Sequence, residues 1–294
     1  MSSAAPLGRM TLAKAIGWSV AFVVLTLLTA GLLGLGVAVV LRGSAEAGAQ
    51  WLRAGGAGST LVQALATIVS AGAFTWLIGV RALRLTARDL RYTPAGSALR
   101  GLGLGLVLGA LTAGAALLIS VAAGGARWAD DSGTVGDYLE QAFKTAGVLA
   151  PAALGEELLF RGVPIVLLAA ALGRGAAVVA VAIPFALAHL ANPNVTALGV
   201  GNIAVAGIFL GLAFYAPGGI WTAFGAHFGW NTLLACLDTP VSGVPFRIPL
   251  LDYHAGQPAW LTGGAFGPEG GLGATVALTA AVLVTARWAQ KDTV

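Results

Sequence analysis

Leu12 to Leu41 reads LAKAIGWSVAFVVLTLLTAGLLGLGVAVVL and carries a single charge, Lys14. A helix crosses a bilayer with about 20 predominantly apolar residues, so this run is read as a transmembrane span. It is too long for a signal-peptide core and shows no obvious cleavage site, so it is expected to be retained. Working outward, the same test selects 60–82, 98–123, 144–172, 175–191, 199–215, 218–236 and 271–288. The expected fold is all-α, a polytopic membrane helix bundle of about eight transmembrane helices. The fifth and sixth runs are short, as expected of helices with half-buried or irregular ends lining a cavity. A polar amphipathic stretch from Asp137 to Lys144 precedes the fourth span. Pro151 and Pro164 are expected to kink that span, and Pro184 the fifth. There is no internal repeat, and the longest polar stretch, 237–269, is loop-sized. A single membrane domain over 1–294 is expected, with its chemistry-bearing core at about 144–236.

Composition agrees. Of 294 residues, 57% are hydrophobic and 10% charged, against about 25% charged in a soluble domain. The 43 glycines fall largely within apolar runs, where small residues let helices approach closely. One cysteine, Cys236, excludes an intramolecular disulfide and a cysteine-based metal cluster. The net charge of +4 is spread along the chain; it reads as membrane topology, and no nucleic-acid partner is expected. With the N-terminus in the cytoplasm and eight crossings, the inner side holds Arg9, Lys14, Arg81, Arg84, Arg88, Arg91, Arg100, Arg174, Arg287 and Lys291. The outer side holds Arg42, Arg53, Arg127, Lys144 and Arg247, and most of the acids: Glu46, Asp130, Asp131, Asp137, Glu140, Asp238, Asp252 and Glu269. This bias places both termini in the cytoplasm.

Three spans carry charge or polarity that lipid does not tolerate. In the fourth, Gly155-Glu156-Glu157-Leu158-Leu159-Phe160-Arg161-Gly162 sets two carboxylates and a guanidinium in an apolar helix. Each costs at least about 2.5 kcal/mol at mid-membrane without a partner. Glu157 and Arg161, four apart, share a face and can pair. Glu156 points about 100° away, outside that pair. The fifth span ends in Phe185-Ala186-Leu187-Ala188-His189, and the seventh contains His227-Phe228-Gly229-Trp230-Asn231, with His227 and Asn231 on one face. A structural ion pair accounts for Glu157 and Arg161 but leaves Glu156 idle, while the second and third motifs, each alone, can be read as helix glue. Together they are accounted for by convergence on one water-filled cavity. There Glu156 and His189 could hold a water between them, with the carboxylate as base, and His227 with Asn231 could donate to an oxyanion. Those are the parts needed to hydrolyse an amide.

Glu156-Glu157-x-x-x-Arg161, Phe185-x-x-x-His189 and His227-x-x-x-Asn231, in this order, resemble the three motifs of the CPBP family, the CAAX prenyl endopeptidases and bacteriocin-processing enzymes also described as glutamic intramembrane proteases. The resemblance covers roughly 150–235. It implies an intramembrane endopeptidase of the cell membrane acting on a membrane-associated or lipidated protein or peptide. Glu156 would be the base that activates water, helped by His189; Glu157 and Arg161 would support it; His227 and Asn231 would stabilise the oxyanion. It implies no cofactor and no metal. Three other readings use the same residues: a zinc-dependent protease with Glu156, His189 and His227 as ligands, although no H-E-x-x-H is present; a proton-coupled transporter, against which the lack of a repeat argues; and a non-proteolytic scaffold or immunity protein.

Overall fold

The computed structural model describes residues 6–290; Lys291, counted above on the cytoplasmic side, lies outside them. The helices are α1 (Leu12–Arg42), α2 (Ala45–Ala54), α3 (Ala57–Phe74), α4 (Ala95–Gly124), α5 (Val135–Arg161), α6 (Val163–Leu172), α7 (Arg174–Leu187), α8 (Ala197–Tyr215), α9 (Ile220–Cys236), α10 (Ala259–Thr262) and α11 (Leu272–Gln290). A π-helical segment, Thr75–Ala82, continues α3. The fold is nearly all-α, 76% helical. Among the described residues, five segments are long and apolar enough to cross a membrane: α1, α3 with its π-helical extension, α4, α8 and α11; α7 is a shorter apolar helix. The protein is an integral membrane protein, and about eight spans are compatible with these helices. α1 leaves large apolar side chains such as Leu28, Leu32 and Val40 exposed, as a lipid-facing surface requires.

The chain packs as two compact units, each drawn from two stretches: residues up to Thr93 with Val148–Val178, and Pro94–Gly147 with residues from Val179 onward. In the first unit α1 packs against α2, α3 and α6. The fourth expected span is not one helix. It stops at Arg161 and restarts as α6 after Gly162, whose backbone (φ −87°, ψ −120°) leaves the helical region. A Cβ at Gly162 would crowd the Leu158 carbonyl, so a side chain there opposes the break. Pro164 falls in the first turn of α6, where a missing N–H costs no intrahelical bond. The break therefore lies at the glycine, two residues before the proline expected to cause a kink. Pro151 and Pro184 sit inside α5 and α7.

In the second unit the tightest seam joins α4 to α9. Gly101, Gly105 and Gly109, one per turn of α4, face α9, and Gly225 and Gly229 of α9 face back. A Cβ on Gly105 would lie 2.9 Å from the Ala226 amide nitrogen, one on Gly229 the same distance from Leu106 Cα and nearer still to its carbonyl oxygen. The two backbones touch because neither carries a side chain there, as small residues permit between membrane helices. α11 packs on α4 and α8.

The sequence reading left 237–269 as a loop, and this is corrected. It contains β2 (Leu251–His254), paired antiparallel with β1 (Arg127–Asp130), Arg127 opposite His254. Trp128 Nε1 donates to the Leu237 carbonyl (2.6 Å), fixing the ribbon to the end of α9, and Tyr138 Oη of α5 donates to the Cys236 carbonyl (3.1 Å). The Asp238 carboxylate accepts from the backbone of Ile248 (2.9 Å) and Tyr253 (3.1 Å), closing the loop between them. The sixth expected span is a regular 19-residue helix, α8, buried at its C-terminal end.

Candidate active site

The first motif lies in the last two turns of α5. Glu157 and Arg161 are both fully buried, and Arg161 Nη1 donates to Glu157 Oε1 at 2.9 Å. Their four-residue spacing makes this pair nearly automatic once the segment is helical. Gly155, just before it, packs on α3: a Cβ there would lie 3.4 Å from Thr67 Cγ2. That close packing fixes the azimuth of α5 and with it the direction of the next two carboxylates. Glu156 is half-buried and within electrostatic reach of Arg161. It occupies a different azimuth from Glu157, as the 100° step requires.

The second motif lies at the end of α7, and here the sequence reading needs adjusting. The helix ends at Leu187, so His189 belongs to the turn beyond it. Its amide donates to the Ala186 carbonyl at 3.1 Å, a three-residue step that tightens the exit. His189 Nδ1 lies 2.8 Å from the Phe185 carbonyl oxygen. A carbonyl only accepts, so Nδ1 carries the proton in this bond. In the neutral ring the lone pair is then on Nε2. The backbone of the motif therefore selects the tautomer.

The third motif is on α9. His227 is buried and Asn231 half-buried. Phe185 joins the two imidazoles. Its ring centroid is 4.9 Å from that of His189, tilted at 57°, and 6.1 Å from that of His227, edge-on at 80°. One buried phenyl from α7 thus spaces a turn histidine from a helix histidine, in contacts typical of favourable ring pairs. The predicted residues Phe185, His189 and His227 are brought together, as are Glu157 and Arg161.

One carboxylate outside the three motifs is also buried. Glu269, counted among the outer-side acids, is 7% exposed. It accepts from Trp230 Nε1 (3.0 Å), Ser242 Oγ (3.0 Å) and, in a very short bond, the Ser242 amide. Burial pushes its carboxyl above the ordinary range; the Ser242 and Trp230 hydrogen bonds and the charge of His189 oppose that shift. Nothing in its local sequence, Gly267-Pro268-Glu269-Gly270, marks it as interior.

Chemically, the first unit supplies the carboxylates and guanidinium at the end of α5; the second unit supplies an imidazole with a defined lone pair, and a second imidazole and a carboxamide one helical turn apart on α9. Among the described residues, no group of three His, Cys, Asp or Glu side chains forms a metal-binding cluster.

Residues 139–233 match the family model described as type II CAAX prenyl endopeptidase Rce1-like. The match includes all three motifs and excludes α1–α4, α10, α11 and Glu269. No curated protein and no solved structure matches the chain.

Proposed function

From a chain whose residues 139–233 are an Rce1-like segment of the CPBP family of CAAX-type proteases, we infer an intramembrane endopeptidase that hydrolyses a peptide bond in a membrane-associated or lipidated substrate. In this reading Glu156 is the general base and takes a proton from the attacking water. Glu157 is held by Arg161 and keeps the end of α5 in place. His189, its Nδ1 committed to the Phe185 carbonyl, offers Nε2 to the same water or to the leaving amine. His227 and Asn231 donate to the oxyanion that forms when water adds to the carbonyl. Collapse of that tetrahedral species expels the amine, which leaves with the proton first taken by the base. No serine or cysteine lies within the motifs, so no acyl-enzyme is invoked. The basic-residue bias supports insertion in the cell membrane with both termini cytoplasmic.

The observation that carries this reading is the Phe185 bridge. It gathers the imidazoles of two motifs on one apolar surface, with a fixed tautomer on one of them. A structural role for two separate histidines does not require that gathering. The experiment is cleavage of an internally quenched, prenylated CAAX peptide by the purified protein in liposomes, beside the unprenylated peptide and an unlipidated transmembrane peptide. Cleavage of at least one, abolished by Glu156→Gln in a folded protein, supports the reading. Cleavage unaffected by Glu156→Gln would overturn the assignment of the base, and hydrolysis of none of them would overturn the activity.

A further inference from the structure

Two of the three motifs are tied to a residue that lies outside the matched segment. Trp230 sits three residues after His227 on α9, so its indole shares that side of the helix, and it is joined directly through the backbone to Asn231. That indole donates to Glu269 at 3.0 Å. Glu269 also receives the amide and hydroxyl of Ser242. Ser242 is held at φ +48°, in the left-handed region, and its carbonyl accepts from Asn192 Nδ2 at 3.0 Å. Asn192 stands three residues after His189, and its amide donates to the His189 carbonyl at 3.1 Å. From one carboxylate, therefore, one short path runs to the helix bearing His227 and Asn231, and another to the turn bearing His189.

The carboxylate is itself anchored. Asn202 of α8 donates from Nδ2 to the carbonyls of Glu269 (2.8 Å) and Gly271 (2.9 Å), while Thr275 of α11 donates to Asn202 Oδ1 (2.7 Å). Both Asn202 and Glu269 are buried. A carboxyl placed in an apolar interior only to fill space would be poorly matched to its surroundings; this one accepts three hydrogen bonds and is fixed from behind by two helices.

We propose that Glu269 is a positioning residue of the active site, setting the orientation of His227 and Asn231 through Trp230 and of the His189 turn through Ser242 and Asn192. The proposal rests on the protease reading for its consequence in catalysis, and on geometry alone for its consequence in structure. Misplacing catalytic groups by about 1 Å costs up to about a hundredfold in rate, so the effect belongs in kcat rather than in KM.

The test uses the full chain in nanodiscs, labelled at histidine Cε1. With three histidines in the sequence, each signal is assigned by a single substitution. His254, on β2 and partly exposed beside Asp252, is an internal control. In Glu269→Gln the signals of His189 and His227 are expected to move and that of His254 to stay. On the prenylated CAAX peptide kcat is expected to fall about tenfold or more with KM changed less than about twofold, and Glu269→Asp to recover part of the loss. If Glu269→Gln does not fold, Asn192→Ala decides: it cuts only the path to His189, so the His189 signal moves and the His254 signal does not. Unmoved His189 and His227 signals in a folded Glu269→Gln protein would overturn the proposal, as would a change confined to KM. A wild-type protein that cleaves no peptide would count against the protease reading, while the histidine signals would still decide the role of Glu269.

Discussion

Replacing Arg161 by alanine isolates the contribution of the first motif to folding. Arg161 and Glu157 are both fully buried and 2.9 Å apart, and Arg161 is among the largest fully buried side chains. Its loss leaves the Glu157 carboxylate in an apolar interior without the guanidinium that compensates it. Breaking a buried pair in this way costs about 3–5 kcal/mol. Against a total stability of about 5–15 kcal/mol, that is enough to deplete the folded protein. Arg161→Lys keeps the charge but not the planar fork, and is expected to fall between wild type and alanine. The informative variant is Glu157→Gln with Arg161→Met. Removing both charges together avoids the stranded carboxylate and is often near neutral, so it should recover most of the stability lost in Arg161→Ala. The assay is the yield and melting temperature of detergent-solubilised protein by fluorescence-detected size exclusion. Arg161→Ala melting with wild type, or the double variant melting no higher than Arg161→Ala, would refute the argument. Because Arg161 also reaches Glu156 electrostatically, the double variant is expected to regain fold without regaining full turnover.

Gly109→Val on α4 is expected to destabilise by about 1–3 kcal/mol or more, since the new side chain meets the Ala226 backbone of α9; melting at the wild-type temperature would remove the seam from the account. Glu156→Gln is expected to keep the wild-type melting temperature and lose about 10²–10⁴ in kcat, whereas chelators and serine- or cysteine-directed reagents leave activity intact; inhibition by a chelator reversed by added zinc would favour the metal reading. Burial raises the Glu269 carboxyl above its ordinary value of 4.5. The folded state then holds this proton more tightly than the unfolded state, so its contribution is fully present below about pH 4.5 and lost as pH rises through the folded value. The stability difference between wild type and Glu269→Gln should accordingly shift against wild type over that interval, and a pH-independent difference would contradict the buried placement. In a Cys236→Ala background, an impermeant thiol reagent on intact cells is expected to label a cysteine at Val244 and not one at Arg88, both exposed positions; the reverse pattern would invert the orientation.

Hydropathy alone located the long helices, because a bilayer demands a minimum run of apolar residues and α1, α4, α8 and α11 each supply it. It failed where the decisive term is backbone geometry. Gly162 ends α5 through a conformation that no apolarity count registers, and the two prolines drew attention away from it. The β1–β2 ribbon escaped because four-residue strands are too short for a periodic signal. The site was legible where spacing carries it. Glu157 with Arg161 follows from the helical repeat, and Phe185-x-x-x-His189 appears in the structure as the Nδ1–carbonyl bond.

Glu269 shows why a charge count places residues by segment and not by environment. Counted by segment, it is one more acid on the outer side. In the fold, Asn202 holds its backbone and three donors, two of them on Ser242, surround its carboxylate. None of these partners is adjacent in sequence, so no local pattern encodes the burial. The same logic applies to the chemistry. A helix repeat can place two groups of one helix, as it does for Glu157 and Arg161 or for His227 and Asn231. Fixing α9 relative to the His189 turn requires more than the helix repeat: the Phe185 ring of the second motif between the imidazoles, and, from elsewhere in the chain, the glycine seam on α4 and the Trp230–Glu269–Ser242 link. In the proposed reading the motifs supply the reacting groups, while Glu269 and Ser242, outside the matched segment, help to hold two of those motifs in register.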